Sequence, residues 1–274
     1  MIPLVSVVAM EFDPDYGRFY NAIPAWATGH ISYHDGLFLR EAILREKPSI
    51  VLELGTASGF SAASLCHSLE VAARSAGGDP NYRVVSYDSE NHFYADPSRA
   101  VGDAARAMLG PSLLAHVEFR HPRTARDAVD EFPPDSLSFV FIDADHSHPW
   151  PTLDLLALLD VIRPGGSVYL HDINLPLVAP EHRYWGPHHL FADLELEKEV
   201  SQDPTGIPNI GRLRMPDDKK SQRQRLVGML DAHPWEGKVD RRHLARLGVC
   251  RYAGAWRDVP WLGRASRVWA SRWL

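Results

Sequence analysis

Four apolar runs of this chain close on acids: Glu53, Asp88, Asp143 with Asp145, and Asp172, and three histidines, His146, His148 and His171, stand beside the last two. One acid after an apolar run means little, because loops are polar. Four are harder to dismiss, because unpaired carboxylates repel and persist where a ligand, a metal or a proton relieves them. Histidine titrates near neutral pH, so the same ends also carry groups able to take a proton from a reacting hydroxyl. Any single one of the 14 histidines reads equally well as a capped or solvent-facing side chain. The cluster carries the reading.

The first acid belongs to the stretch Ser49-Ile-Val-Leu-Glu-Leu-Gly-Thr-Ala-Ser-Gly-Phe-Ser61. Residues 49–54 are continuous rather than alternating in hydrophobicity, as in a strand buried on both faces of a parallel sheet. Gly55 and Gly59 then bracket a turn in which a ligand can approach the backbone, and Ser58 and Ser61 are available to cap a following helix. The pattern is E-x-G-x-x-x-G. A dinucleotide turn carries more glycines; their absence disfavours a pyrophosphate, and the acid favours a ligand bearing an ammonium group.

These residues need elements to hold them. Residues 11–34, rich in aromatics, glycine and proline, read as a lead-in or lid, and a helix follows over about 35–46 with Leu37, Phe38, Ile43 and Leu44 inward, stopped by Lys47-Pro48. Strands are expected at 49–54, 83–88, 116–121, 138–143 and 167–172, with helices over 61–75, 97–109, 124–131 and 150–162 between them. Arg163-Pro-Gly-Gly166 is a stop signal for the last of these helices. The alternation predicts an α/β fold, a doubly wound and mostly parallel sheet with right-handed crossovers. After Pro176 the rhythm changes. Residues 181–191 read as a loop and short helix over the site, and 196–202 and 209–215 as two further strands, making a seven-stranded sheet. Helical pieces are expected at about 218–232 and 239–247. The chain thus divides into a lead-in over 1–34, a central domain over 35–216 and a C-terminal extension over 217–274.

At 274 residues and 45% hydrophobic composition the chain is long enough for one sizeable α/β domain with appendages. The apolar start, Met1 to Met10, has no basic leader, and no stretch reaches the length of a membrane span. Cys66 and Cys250 lack metal-type spacing, which suggests reduced thiols and a cytoplasmic setting. The net charge of −6 hides an asymmetry. Residues 1–209 carry 14 Lys and Arg against 29 Asp and Glu, whereas 210–274 carry 15 against 6 and five of the eight tryptophans. Such a tail could bind nucleic acid, an anionic membrane or an acidic partner. The reading preferred is docking on the acidic body of its own chain or of a second copy, giving a homo-oligomer. Trp261, Ala265, Val268, Trp269 and Trp273 share a helical side, but Arg272 interrupts it, which suits packing against protein better than lying on a membrane.

The motif of Glu53, Gly55 and Gly59 resembles the first motif of class I S-adenosylmethionine-dependent methyltransferases. That resemblance, over about residues 29–215, implies a Rossmann-like methyltransferase fold and S-adenosyl-L-methionine as cofactor. It implies that Glu53, with Gly55, Thr56, Gly59 and Ser61, serves the methionine end; that Asp88, helped by Ser89 or Glu90, accepts the ribose hydroxyls; that the loop around Arg123 and Thr124 meets the adenine; and that Asp143 lies near the sulfonium and the methyl acceptor.

A narrower resemblance is to the catechol and caffeoyl-CoA O-methyltransferase branch. Residues 29–39 look like its cofactor-covering lead-in, Phe141-Ile-Asp-Ala-Asp-His146 resembles its fourth-strand signature, and His171-Asp-Ile-Asn174 its fifth. The branch implies a Mg²⁺ held by Asp143, Asp172 and an asparagine. Ile173 stands where that asparagine belongs, with Asn174 one place late, so the set loses an oxygen ligand. The histidines offer another solution: His146 as general base, with His171 second, and Asp143 beside them. Tyr184, Trp185 and His188, with His182 and His189, are expected to line the pocket of a small hydroxylated acceptor. Two other classes of function remain in view, a nicotinamide-dependent oxidoreductase on a similar sheet and a non-catalytic module that binds through the basic tail.

Overall fold

A computed structural model describes residues 5–9, 11–75, 77, 81–182, 184–204 and 206–249. The expectations for Cys250 and for the tryptophan-rich helix beyond Pro260 lie outside the described residues.

The central strands form because each run is apolar on both sides of the backbone. In β2 (Ile50–Leu54), Val51 faces one core cluster and Leu52 and Leu54 the other; in β7 (Leu137–Ile142), Phe139 and Phe141 oppose Val140 and Ile142 in the same way. Period-two alternation between two apolar layers is why these runs read as continuous. The layer under α2 (Tyr33–Glu46) and α3 (Phe60–Ser75) is aromatic, with Phe38, Phe60, Phe139 and Tyr169 buried, and the layer under α7 (Trp150–Leu158) is built on leucine.

The described elements run β1 (Val5–Val8), α1 (Pro14–Tyr20), α2, β2, α3, β3 (Arg83–Tyr87), β4 (His92–Phe93), β5 (Asp96–Ala100), α4 (Asp103–Met108), α5 (Pro111–Leu114), β6 (Val117–Arg120), α6 (Ala128–Glu131), β7, α7, β8 (Ile162–His171), α8 (Leu175–Val178), α9 (Gly186–Asp193), β9 (Lys198–Ser201), β10 (Ile210–Arg214), α10 (Lys219–Met229) and α11 (Arg241–Arg246). The main sheet has the order β1-β9-β10-β8-β7-β2-β3-β6. Its seven expected strands are present, β10 running antiparallel to β8 and β9. An eighth, β1, adds a parallel edge beside β9, where the sequence suggested no element. Chain order reverses between β2 and β7, and their carboxyl ends open the crevice in which α/β sheets bind ligands.

Three boundaries differ from expectation. The lead-in contains α1, begun by Pro14 and capped by Asp13, whose carboxylate accepts from the backbone N–H of Asp15 and Tyr16 at 2.9 and 3.0 Å. Residues 97–109 are not one helix. The β4–β5 hairpin takes their first part because Arg99 lies over the Trp26 ring, 3.8 Å from its centroid, and α4 starts only after Gly102. Finally α7 ends at Leu158 instead of 162. The β-branched Val161 and Ile162 are buried, Ile162 opening β8, and Pro164 to Gly166 are absorbed where the β7–β8 register shifts.

Past Pro216, Leu226, Leu230 and Leu244 belong to the same buried cluster as β7, β8 and α7. Among the described residues no helix is long and apolar enough to cross a membrane.

Candidate active site

The turn after β2 is dictated by close approach. Gly55 has φ +95°, and a Cβ there would sit 2.0 Å from the carbonyl oxygen of Asp143. Gly59 has φ +90°, and its Cβ would meet Cα of Gly102 at 2.6 Å. Both positions require glycine, and together they draw the ends of β2 and β7 and the start of α4 to one point. Asp88, just past β3, is fastened at the same mouth: one carboxylate oxygen accepts from Ala57 N and the other from Glu90 N, each at 2.9 Å.

A cavity of about 620 Å³ opens over this point, within the range of small-molecule sites. Its wall includes Gly55, Thr56, Ser61, Asp88, Ser89, Arg123, Thr124 and Ala125. Asp143, His146, His171, Asp172 and Tyr184 line it too. Glu53 and Gly59 stand behind the wall. Glu53 is fully buried; Ser86 donates to one of its oxygens and Thr56 Oγ1 lies 2.6 Å from Ser86 Oγ, while its other oxygen has no partner. Burial, with the nearby charges of Asp143 and Asp88, pushes the Glu53 carboxyl up to about 8 against the hydrogen bond from Ser86.

The acid and histidine part of the wall joins residues from three elements. His171, at the end of β8, directs Nδ1 to Asp143 Oδ1 at 3.1 Å and to Asp172 Oδ1 at 3.4 Å, and Nε2 to Asp35 Oδ2 of α2 at 3.3 Å. His146 Nε2 lies 3.1 Å from Asp143 Oδ1 and 3.2 Å from Asp172 Oδ2. Asp172 adopts φ +58°, a left-handed conformation that Asp tolerates, and it accepts from Asn209 Nδ2 at 2.6 Å. Burial disfavours charge on His171, but Asp143, Asp172 and Asp35 outweigh it and hold the imidazole well above its usual value. His146 is raised as well, burial being overcome by Asp143 and Asp172. Burial likewise opposes charge on Asp143, yet His171 and His146 hold its carboxyl well below the usual range. The wall is thus a lattice of alternating charge. Its four members, Asp143, His146, His171 and Asp172, each bring one ligand atom within 4.8 Å of the others.

Besides Glu53 and Gly59, four residues expected around the acceptor or the metal do not meet the cavity, among them His189, whose ring stacks on His233 at 3.5 Å between centroids. Asn174 gives its side-chain amide to the carbonyl of Pro208 at 2.7 Å. His188 Nδ1 lies 2.8 Å from the Ile173 carbonyl. Trp185 stacks on His189, and its backbone N–H bonds the Glu236 carboxylate. His182 does line the cavity. Other residues at the site had no role assigned from the sequence. Asp35 lies in the quoted lead-in, but nothing local revealed that it faces His171 from 136 residues away. Tyr94 arrives on the β4–β5 hairpin that the helix assignment concealed, and Trp150 and Asp154 come from α7, which was read only as a helix over 150–162.

Comparison with known proteins bears on this arrangement. A family model described as a methyltransferase domain matches residues 52–173, from β2 through the end of β8. Among solved structures, a candidate O-methyltransferase from Klebsiella pneumoniae is 16% identical, the match covering 75% of this chain and 91% of that one with a TM-score of 0.51. An SAH-bound methyltransferase from Podospora anserina is 15% identical over 74% of this chain and 86% of that one, with a TM-score of 0.50. At such identities the likeness is one of fold. No curated protein matches the chain.

Proposed function

We propose that the methyltransferase domain carried by residues 52–173 uses S-adenosylmethionine to methylate the oxygen of a small hydroxylated molecule, with His146 as general base. The observation that carries the reading is the pair of imidazoles held against Asp143 and Asp172 in the same cavity as the glycine turn.

Asp88 serves the ribose hydroxyls, its two oxygens aimed by Ala57 N and Glu90 N. Thr56 and Ser61 flank the methionine end, and Glu53 acts through Ser61 and Ser86 as a positioning residue behind them. In the reaction the acceptor oxygen attacks the methyl carbon, the C–O bond forms as the S–C bond breaks, and the hydroxyl proton passes to the protein. His171 is the poorer recipient, because three carboxylates keep it protonated and its side chain is 11% exposed. His146 faces two carboxylates and is 25% exposed, so it gives up its proton more readily and reaches the opening.

The Mg²⁺ of the related branch does not fit these residues. A hard cation wants an octahedron of oxygens, and here Asn174 is committed to Pro208 while two imidazoles stand among the carboxylates.

Replacing Asp88 by Ala should weaken S-adenosylhomocysteine binding by at least about tenfold, the worth of one good hydrogen bond, with the melting temperature nearly unchanged. Thermal shift with S-adenosylhomocysteine against NAD separates this reading from an oxidoreductase. For the base, kcat/KM should climb with pH through an apparent value above the ordinary 6.5 of histidine, because the raised His146 must first lose its proton. His146→Gln should remove that limb and lower kcat about 10²-fold at unchanged cofactor affinity. Activity that dies with a chelator and returns with Zn²⁺ would make the imidazoles ligands and end the base assignment.

A further inference from the structure

The loop that carries His146 links β7 to α7, and segments outside the matched residues 52–173 hold it in place. Within the loop, the N–H and Oγ of Ser147 donate to Asp145 Oδ1, a local turn that leaves open where the loop lies. Gly186, at the start of α9, gives its N–H to the His146 carbonyl at 2.9 Å, and a Cβ there would come 2.6 Å from that same oxygen. Glu236 and Gly237, between α10 and α11, give their N–H groups to the His148 carbonyl at 2.8 and 3.0 Å.

The Glu236 carboxylate closes the circuit. Its Oε2 accepts from the His148 N–H at 2.8 Å and from the Trp185 N–H at 3.0 Å, with Oε1 3.2 Å from Trp185 N. Both backbone groups of His148 therefore end on one residue, which also holds the residue before Gly186. A carboxylate makes stronger hydrogen bonds to peptide N–H groups than a neutral acceptor does. Glu236 is itself exposed, but its backbone is anchored on either side: Trp235 packs against the leucine core and Val239 is buried in it.

We infer that Glu236 is a positioning residue: through the backbone of His148 and Trp185 it sets the loop so that the His146 imidazole stays between Asp143 and Asp172. Its consequence for catalysis rests on the base assignment above. The imidazole leaves the chain two residues before the clamped peptide, and it meets the two carboxylates, at 3.1 and 3.2 Å, while the loop is held down. Placement counts at this scale, because displacing a reacting group by about 1 Å can cost roughly 10²-fold in rate. The C-terminal extension thus reaches the chemistry without lining the cavity.

The test reads His146 directly. The full-length protein and its Glu236→Ala and Glu236→Gln variants are treated at pH 7 with diethyl pyrocarbonate, which acylates a free imidazole nitrogen, and mass spectrometry of the digest gives the rate at each histidine. Glu236→Ala should label His146 about five- to tenfold faster, the gain in open loop that losing one hydrogen bond allows. Labelling of His171 and calorimetric affinity for S-adenosylhomocysteine should stay within about twofold of wild type, a difference well below that of one hydrogen bond. Glutamine keeps an oxygen that accepts from both N–H groups, so Glu236→Gln should label His146 as wild type does. An unchanged His146 rate in Glu236→Ala, a Glu236→Gln rate as fast as that of Glu236→Ala, or equal acceleration at His171, the sign of general loosening, overturns the inference and leaves the base assignment standing. Wild type that does not bind S-adenosylhomocysteine overturns the methyltransferase reading, and the labelling rates still decide whether Glu236 sets the loop.

Discussion

Several buried groups shape how stability depends on pH: Glu53, Asp154 and His171 are raised and act in one direction, Asp143 is lowered and acts in the other. Glu53 has a folded value of about 8 against an ordinary 4.5. Between those values the folded chain holds a proton that the unfolded chain has released, so stability falls as pH rises, by up to about 1.4 kcal/mol per pH unit. His171 is raised, so its contribution is complete below the unfolded value near 6.5 and is lost as pH climbs through the folded one. Glu53→Gln should therefore flatten the dependence of unfolding free energy on pH between 5 and 8. Urea titrations at those two pH values measure it, and a slope equal to that of wild type would mean that Glu53 is ionised in the fold. His171→Gln leaves Asp35, Asp143 and Asp172 close together with one fewer cation. It should cost about 3 kcal/mol, as the loss of one partner of a buried ion pair does, and adding Asp35→Asn should return part of that. An additive double mutant would show that the two side chains do not interact.

The elements contribute through where they touch. The turn after β2 meets the start of α4 backbone to backbone at Gly59 and Gly102. Gly59→Ala adds a methyl where none fits, in a left-handed conformation. It should destabilise by about 2–4 kcal/mol and weaken S-adenosylhomocysteine binding, as measured by urea unfolding and calorimetry. The β4–β5 hairpin carries Tyr94 to the cavity and is fastened by Arg99 against Trp26, a contact worth about 0.5–2 kcal/mol. Arg99→Ala should loosen that cover and raise KM for the acceptor several-fold with little change in melting temperature. An unchanged KM would remove the hairpin from acceptor binding.

The described part of the C-terminal extension, residues 217–249, packs on the central domain. Leu226, Leu230 and Leu244 are fully buried in the cluster that includes β7, β8 and α7. At roughly 1.5–3 kcal/mol per buried side chain, these three alone approach the total stability of an ordinary domain. A chain cut after Pro216 should show no cooperative melt by circular dichroism. A cooperative transition near that of the full chain would mean that this packing contributes little. For the same reason, a nucleic-acid test by truncation should begin beyond Val249, where every described element is kept.

The amino-acid sequence alone determined the seven strands of the main sheet other than β1, the longer helices between them, the glycine turn after β2 and the acids at the strand ends. It could do so because these are local: a strand buried on both faces declares itself in five or six apolar residues, and Gly55 and Gly59 in the spacing of their turn. It also identified His146, His171, Asp143, Asp172 and Asp88 as residues of interest, since each directly follows or ends such a run. The β4–β5 hairpin was not legible, because it depends on Trp26, seventy-three residues before Arg99. Nor was the membership of the site. Asp35 reaches His171 from α2, Asn209 reaches Asp172 from β10, and Asn174 turns away to Pro208. Only the tertiary structure decided these pairings, because the order of strands in the sheet and the paths of the loops determine which of several polar side chains come within hydrogen-bonding reach.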